Sequence, residues 1–447
     1  MKEMHYEVVV VGGGISGSAL VYLLSRYTDI KNIALVEKYQ GLSTLNSKGT
    51  GNSQTIHSGD IETNYTYEKA AKVKKTADMI VKYGLQHGYN EKFMFQHQKF
   101  AMGVGDEEVE TIKGRYEDLK KIYPYLEYYD KEKLKEIEPK VIFDDKGSIR
   151  SDNVAGIGIT TGVYTTVDFG AMSNSFIDNA KKEKGKLVDV YLNSEVERID
   201  HVGEKFYIKT INNLSISTDF VIVNAGAHSL YLAHKMGYGK DLGTLPMAGS
   251  YYLTKKRLLN GKVYMIQNPK LPFAALHGDP DVLVDGCTRF GPTAIPMPVL
   301  ERFHGTKSFL ESISSLNFGT DTLSVFWDLL KDSDIRNYFF RNVAFEIPIL
   351  GKQLFVKDAK KIVPSLREDD IYYAKGFGGI RPQVIDKKNK TLMLGEASID
   401  TKKGIIFNMT PSPGATSCLG NAAKDTKKTC EFLGKTFNEA KFEAELG

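Results

Sequence analysis

The stretch that decides the fold is Glu7-Val8-Val9-Val10-Val11-Gly12-Gly13-Gly14-Ile15-Ser16-Gly17, which leads into a helical pattern. A second apolar run, Ile33-Ala34-Leu35-Val36, follows that pattern and ends in Glu37. An apolar strand, a glycine turn, a helix and a second strand ending in an acid form the full context in which Gly-x-Gly-x-x-Gly binds a dinucleotide. The sequence therefore predicts a dinucleotide-binding βαβ unit at the start of the chain.

Each glycine of this motif has a separate physical role. Gly12 permits the tight turn, Gly14 lets the backbone approach a pyrophosphate, and Gly17 lets the helix lie close to the strand. The free N–H groups and the positive dipole end of the helix then favour the phosphates. Glu37, twenty residues after Gly17, is placed to accept hydrogen bonds from a ribose diol. A carboxylate there repels a 2′-phosphate, which disfavours NADP.

Length and composition narrow the class of protein. A chain of 447 residues is longer than one hydrophobic core usually supports, which predicts two domains. With 59 Lys and Arg against 55 Asp and Glu, bulk charge does not favour a nucleic-acid partner. The three cysteines form no Cys-x-x-Cys pair and no metal-ligand cluster, which fits a reducing cytoplasm without a metal site. With no signal peptide and no apolar run of about 18 residues, any membrane contact is expected to be peripheral.

More glycine-rich turns follow later in the chain, near Gly51, Gly226 and Gly378. An NAD enzyme usually needs no such additional loops, whereas a longer cofactor with a flavin at one end would be contacted by several of them. The pattern therefore favours FAD over NAD. Residues 249–345 lack strand–helix alternation and mix β-rich with helical runs, which predicts a second domain.

Five further segments carry a family resemblance. They are Gly51-Asn52-Ser53-Gln54-Thr55-Ile56-His57-Ser58-Gly59, Phe273-Ala274-Ala275-Leu276-His277, Arg289-Phe290-Gly291-Pro292-Thr293-Ala294, Gly378-Gly379-Ile380-Arg381-Pro382-Gln383 and the run from Asn408 through Thr416. With the first glycine motif, they make the chain resemble the flavin-dependent amine and hydroxy-acid dehydrogenases of the glycine/D-amino-acid oxidase superfamily. Within that superfamily the chain most resembles the malate:quinone oxidoreductase family, with L-2-hydroxyglutarate dehydrogenase as a cousin.

The resemblance spans essentially the whole chain and implies its fold class. It implies an α/β fold (α+β overall), in which an FAD-binding Rossmann-type domain is interleaved with a β-rich substrate domain. We expect residues 1–90, 151–245 and 365–435 to form the discontinuous FAD-binding domain. Residues 91–150 and 246–364 would form the substrate domain, and residues 436–447 a C-terminal tail.

The resemblance also implies an activity, namely the FAD-dependent oxidation of L-malate to oxaloacetate with the electrons passed to a membrane quinone. FAD is expected to be non-covalent, because no cysteine lies in a loop expected near the flavin ring. The implied location is cytoplasmic, in peripheral contact with the inner face of the cell membrane. The alternatives are an FAD-dependent dehydrogenase or oxidase for L-2-hydroxyglutarate or another substrate, and a flavoprotein-like binding module without catalysis.

Oxidising a 2-hydroxy acid requires a cation for the carboxylate and a base for the hydroxyl proton. Arginine suits the carboxylate because its planar fork can bind both oxygens. Arg381 is the first candidate, since it follows a glycine turn and precedes Pro382. Arg289 is the second candidate, for the other carboxylate of malate. The ordinary alternative for either arginine is a structural ion pair.

Histidine is the natural base, because its charge changes near neutral pH. Of nine histidines, only His57 and His277 lie in the family segments. The resemblance favours His277 as the base and places His57 near the flavin ring, although an interior structural role is possible for each. Such a base predicts an acidic limb in kcat/KM between about pH 6 and 7. The cofactor-binding residues implied are Gly12, Gly14, Ser16, Gly17, Glu37, Lys38, Thr50, Ser53, Val196, Ala225, Gly226, Gly379, Gly414, Ala415 and Thr416.

Overall fold

The computed structural model describes residues 4–267, 275–317, 319, 324, 327, 331–347, 349–393, 395–410 and 413–447. Four residues of the family segments, Phe273, Ala274, Pro411 and Ser412, lie outside this range.

The helices are numbered here in chain order. They are α1 (Ile15–Tyr27), α2 (Tyr67–Gln86), α3 (Asp106–Leu119), α4 (Lys131–Ile137), α5 (Phe169–Ala180), α6 (His228–Lys235), α7 (Phe309–Leu316), α8 (Ser333–Phe345), α9 (Leu350–Ala359), α10 (Cys418–Leu433) and α11 (Glu439–Glu445). Short 3-10 turns cover Gly49–Gly51, Pro139–Val141 and Glu368–Asp370.

The strands are numbered in the same way. They are β1 (Met4–Val11), β2 (Asn32–Val36), β3 (Met94–Phe95), β4 (Lys99–Val104), β5 (Glu127–Tyr129), β6 (Val154–Ile159), β7 (Thr166–Val167), β8 (Leu187–Tyr191), β9 (Val196–Val202), β10 (Lys205–Thr210), β11 (Ser215–Val223), β12 (Leu242–Ala248), β13 (Tyr252–Thr254), β14 (Lys262–Met265), β15 (His277–Pro280), β16 (Thr288–Gly291), β17 (Ile295–Pro296), β18 (Ile371–Tyr373), β19 (Ile380–Asp386), β20 (Thr391–Leu392), β21 (Ala397–Asp400) and β22 (Ile405–Met409).

Five parallel strands form the centre of the first sheet, in the order β22-β11-β1-β2-β8. β21 pairs antiparallel with β22 at one edge, and β10 and β9 extend the sheet from β11. Residues Val8–Val11 are apolar at every position because both faces of this sheet are covered. Val8 and Val10 pack with α1 and α5, whereas Val9 and Val11 pack on the opposite face with α6. This is the predicted βαβ unit, with α1 joining parallel β1 and β2.

The second sheet contains eight strands, in the order β18-β13-β16-β15-β14-β4-β6-β5. All neighbours are antiparallel except β14 and β4. A third, antiparallel sheet has the order β17-β12-β19-β20, and β3 pairs with β7. The described residues between 242 and 392 contribute nine strands, β12 to β20, to the second and third sheets. The protein therefore has the mixed α/β architecture that the sequence predicts.

Several strands pair across the predicted domain boundaries, and β6 and β18 are the clearest cases. β6 lies in the range 151–245 but pairs with β4 along its whole length, and β18 lies in the range 365–435 but pairs with β13. Both therefore belong to the second sheet and not to the first. Pairing between strands distant in sequence is not visible in local patterning, so the sequence could not show it. The domain boundaries stay a prediction.

The helices offer no membrane-spanning segment within the described ranges. None of them is both long enough and apolar enough to cross a lipid bilayer.

Candidate active site

A cavity of about 850 Å³ opens where β1, β2 and β11 end. Its walls come from the loop between Ser43 and His57, from the start of α2, from Tyr251 just before β13, and from Tyr264 and His277 on second-sheet strands. Ligands of open α/β sheets bind outside the carboxyl ends of the parallel strands, which is the position of this cavity. Its volume lies near the upper end of the roughly 300–1,000 Å³ of ligand pockets. The cavity can therefore hold a large cofactor together with a small substrate.

The glycine turn after β1 forms one end of the cavity. Gly12 has a φ of +108°, and a Cβ atom there would lie 2.4 Å from the carbonyl oxygen of Asn224. A Cβ atom on Gly17 would lie 1.9 Å from the carbonyl oxygen of Gly12, so only glycine allows α1 to pack this closely. A Cβ atom on Gly14 would approach only Ser47, at 3.2 Å from its Oγ.

The start of α1 leaves hydrogen-bond donors free toward the cavity. The N–H of Ile15 donates to the Oγ of Ser47, at 3.0 Å. Within the described ranges, the N–H groups of Gly14 and Ser16 donate no hydrogen bond, and both residues line the cavity. A helix N-terminus with free N–H groups is an anion site. This arrangement fits a pyrophosphate.

Glu37 lines the cavity at the end of β2. Its Oε2 accepts the N–H of Gly13 at 2.7 Å, and its Oε1 accepts the N–H of Tyr39 at 2.9 Å. Burial raises the pKa of Glu37, and these two hydrogen bonds oppose that effect. Because each carboxylate oxygen has a second lone pair, Glu37 can still accept hydrogen bonds from a ribose. The next residue, Lys38, is committed to an ion pair with Glu301, 2.7 Å away.

Most of the predicted cofactor-binding residues meet at this cavity, and two of them do not line it. Gly17 lies beneath the turn, where it sets the packing of α1. Thr50 also does not line the cavity, and its carbonyl oxygen accepts the N–H of Gly378 at 2.8 Å. The predicted residues that line the cavity are Gly12, Gly14, Ser16, Glu37, Lys38, Ser53, Val196, Ala225, Gly226, Gly379, Gly414, Ala415 and Thr416.

The two candidate arginines have different surroundings. Arg289 is fully buried and forms ion pairs with Asp279 and Asp281, each with a closest nitrogen–oxygen distance of 3.1 Å. It does not line the cavity, so the structure does not bring it together with the other predicted substrate residues. Arg381 lies on β19, where its backbone pairs with Met247, and its side chain lines the cavity. In the described part of the chain, its guanidinium forms no ion pair and no hydrogen bond.

His277 lies in the cavity wall at the start of β15. It is 1% exposed and stacks on Tyr264, with ring centroids 4.3 Å apart. Its Nδ1 lies 3.2 Å from the carbonyl oxygen of Ala275, which can only accept, so Nδ1 carries the proton. Its buried Nε2 has no hydrogen-bond partner among the described residues. Burial lowers the pKa of His277 to about 3, with Asp279 opposing, so the expected acidic limb between pH 6 and 7 does not follow for this residue.

His57 lies in the loop that covers the cavity. Its Nδ1 is 2.6 Å from the Oε1 of Glu62, and its Nε2 is 3.3 Å from the Oγ of Ser53. Its backbone N–H donates to the Oγ1 of Thr416 at 3.1 Å. Glu62 was not among the predicted site residues. It follows His57 by five residues in an irregular loop, and no periodic signal in the sequence pairs the two side chains.

The overall architecture is shared with several solved oxidases. The L-α-glycerophosphate oxidase of Mycoplasma pneumoniae with FAD bound has a TM-score of 0.63 at 22% identity, covering 97% of this chain and 96% of that chain. The glycine oxidase of Geobacillus kaustophilus has a TM-score of 0.63 at 14% identity, covering 95% of both chains. The protein therefore has the fold of this class of oxidase, and the predicted fold class is confirmed.

Comparison of sequences gives the family within that class. The family model for malate:quinone oxidoreductase matches residues 4–430. The chain is 59% identical over 448 residues to the probable malate:quinone oxidoreductase of Campylobacter jejuni, covering 100% of both proteins. It is 47% identical to the malate:quinone oxidoreductase of Helicobacter pylori, covering 99% of this chain and 98% of that protein. The chain belongs to the malate:quinone oxidoreductase family, which confirms the resemblance. Human mitochondrial L-2-hydroxyglutarate dehydrogenase is 26% identical over 440 residues, covering 93% of this chain and 86% of that protein.

Proposed function

We propose that this protein oxidises L-malate to oxaloacetate with non-covalently bound FAD and passes the electrons to a membrane quinone. Beyond the family, one structural observation carries the proposal. Arg381 has no hydrogen-bond or ion-pair partner among the described residues, and it faces a cavity that His57 and His277 also line. This combination supplies the carboxylate ligand and the proton acceptor that a 2-hydroxy acid requires.

The residues at the parallel-strand end of the cavity fit the nucleotide part of FAD. The free N–H groups of Gly14 and Ser16 suit the pyrophosphate, and the half-satisfied carboxylate of Glu37 suits a ribose diol. FAD, when bound, supplies the two-electron acceptor for oxidation of a secondary alcohol. Non-covalent binding is supported by the three cysteines, all of which are buried outside the cavity lining.

The chain's own residues would bind and orient the substrate. Arg381 would hold a carboxylate of malate through charge-assisted hydrogen bonds. His57 is the better proton acceptor of the two histidines, because Glu62 stabilises the positive charge that the imidazole gains. His277 would remain uncharged in the cavity wall. This reverses the order of the two histidines expected from the sequence.

Exposed apolar side chains between residues 309 and 350 support contact with a membrane, where a quinone is dissolved. Leu310 is 76% exposed, Trp327 64%, Phe340 60% and Ile349 79%. Aromatic and aliphatic side chains of this kind anchor peripheral proteins at the lipid interface. In a vesicle flotation assay, we expect a smaller fraction of the double variant Leu310→Glu with Ile349→Glu than of the wild-type protein to be recovered with the lipid. Val202→Glu, at a site that is 62% exposed on β9, is the matched control.

Flavin absorbance tests the proposed activity directly. The purified protein should be yellow, and acid precipitation should release all of the flavin into the supernatant. L-malate should bleach the oxidised flavin band without oxygen, L-2-hydroxyglutarate should not, and a soluble quinone should restore the band. Bleaching by L-2-hydroxyglutarate alone would assign the protein to the other hydroxy acid. Flavin retained in the precipitate would contradict non-covalent binding.

A further inference from the structure

Glu62 lies in the wall of the cavity beside His57. Its side chain is 6% exposed, and its Oε1 lies 2.6 Å from the Nδ1 of His57. Its Oε2 is buried and has no hydrogen-bond partner within the described ranges. Burying a carboxylate costs folding free energy unless it is paired, so packing alone does not explain an acidic residue at this position.

The contact with Glu62 fixes which nitrogen of His57 carries the proton. An ionised carboxylate can only accept, so Nδ1 is the protonated nitrogen and Nε2 is an acceptor that faces the cavity. The nearest group to Nε2 is the hydroxyl of Ser53, which donates to it at 3.3 Å. The ring is also held edge-on to Tyr264, with centroids 6.1 Å apart. A substrate hydroxyl that displaces Ser53 would meet the lone pair of Nε2.

The surrounding charges leave Glu62 as the anion of this pair. Burial alone would raise the pKa of Glu62, but the hydrogen bond and charge of His57 and the charge of Lys99 hold it below its usual value. Lys99, on β4, forms its own buried ion pair with Asp60, 2.7 Å away. Lys69, on α2, faces Glu62 from the cavity side, and burial lowers its pKa. The negative charge of Glu62 is therefore available to the imidazole of His57.

We propose that Glu62 is a positioning residue that holds His57 with Nε2 free and stabilises its imidazolium, so that His57 takes the substrate's hydroxyl proton. The inference rests on the proposed function. In the step concerned, the O–H bond breaks and its proton goes to Nε2 of His57, while its electron pair forms the new C=O bond. The hydrogen on the same carbon leaves with both electrons of the C–H bond to the bound two-electron acceptor. A carboxylate behind the base is known to supply a large part of such a histidine's effect.

The test is Glu62→Gln in the FAD-loaded enzyme, with the rate of flavin bleaching by L-malate measured by stopped flow across pH. We expect the rate to fall by about 10²–10⁴-fold. Because Glu62 is the anion beside the imidazole, the acidic limb of the rate should move to lower pH in this variant. Glu62→Asp keeps the charge and should restore the limb and part of the rate.

Two further measurements separate this role from a structural one. Glu110→Gln removes an exposed carboxylate on α3, outside the cavity lining, and it should leave both the rate and the limb unchanged. Independently of turnover, ¹⁵N NMR of histidine-labelled protein, assigned with His57→Asn, should show protonated Nδ1 in the wild type. In Glu62→Gln the same signal should show a mixture of tautomers.

The outcomes distinguish this inference from the proposed function. If L-malate does not bleach the wild-type flavin, the proposed function fails, and the NMR signal still decides whether Glu62 sets the tautomer. If L-malate bleaches the wild-type flavin, two results for Glu62→Gln would overturn the inference and leave the proposed function intact. One is an unchanged rate of bleaching. The other is an acidic limb at the same pH together with an unchanged His57 tautomer. If neither Glu62 variant retains FAD while Glu110→Gln does, Glu62 supports cofactor binding and the inference is rejected.

Discussion

Replacing Arg381 with alanine should remove the main charge that binds the substrate while leaving the fold and the cofactor site intact. The side chain lines the cavity and has no ion-pair or hydrogen-bond partner in the described part of the protein. Its loss therefore leaves no buried acid unpaired, and we expect the free energy of unfolding to change by about 1 kcal/mol or less. A small change in stability would distinguish Arg381 from an arginine whose ion pairs stabilise the fold.

The size of the kinetic effect follows from the position of Arg381. A guanidinium and a carboxylate about 4 Å apart interact with roughly 4 kcal/mol at an effective dielectric constant near 20, as applies to a half-open cavity. At about 1.36 kcal/mol per decade, this corresponds to a loss of about 10³-fold in kcat/KM, within the 2–5 kcal/mol of comparable charge pairs. Arg381→Lys keeps the charge without the planar fork and should recover part of the loss.

The assay is stopped-flow reduction of the flavin at increasing L-malate concentration, together with the flavin spectrum of the purified variant. Arg381→Ala should show a wild-type spectrum and a greatly reduced rate. Wild-type turnover in a variant that holds FAD would refute the substrate contact. Loss of FAD or poor folding would show instead that Arg381 supports the loop after β12.

Three other variants test the structural reasoning. Arg289→Ala should destabilise the protein by about 3–5 kcal/mol in denaturant unfolding, because its two aspartate partners stay buried without a cation; unchanged stability would contradict the assigned ion pairs. Gly17→Ala should abolish FAD retention, since its Cβ would overlap the carbonyl oxygen of Gly12, whereas Gly114→Ala, in open space on α3, should retain FAD. Burial lowers the pKa of His277 to about 3 in the folded state, against about 6.5 unfolded, so its contribution to stability is lost as pH falls from about 6.5 toward 3. When the pH is lowered from 7 to 4.5, the free energy of unfolding should fall for both proteins, but by about 2–3 kcal/mol less for His277→Phe than for the wild type. Equal decreases would show that His277 is not buried as a neutral ring.

The features that could be predicted from the sequence are those whose causes lie close together in the chain. The turn from Gly12 to Gly17 and the acid at Glu37 belong to one βαβ unit, so the spacing of residue types was enough to identify them. The family segments added the more distant parts of the cavity, including Arg381 and the two histidines.

The sequence does not reveal the surroundings of residues whose environment depends on strand register or loop conformation. The sequence predicts Arg289 as a substrate ligand, but antiparallel pairing of β16 with β15 places Asp279 opposite it. The resulting ion pairs neutralise its charge inside the second sheet. The sequence likewise predicts His277 as an ordinary base, and in the structure its ring is buried against Tyr264. Glu62 was missed because a loop of irregular conformation brings it to His57.

The order of strands in the first sheet has a consequence for synthesis on the ribosome. β1 is made before its neighbour β11 by some two hundred residues, and β22 follows after nearly two hundred more. Helix α11 also returns to α1, where Glu445 pairs with Arg26 at 2.8 Å. The nucleotide-binding turn therefore emerges from the ribosome long before the strands and the helix that surround it. A nascent chain released before residue 398 would carry the complete glycine motif and still be unable to retain the cofactor.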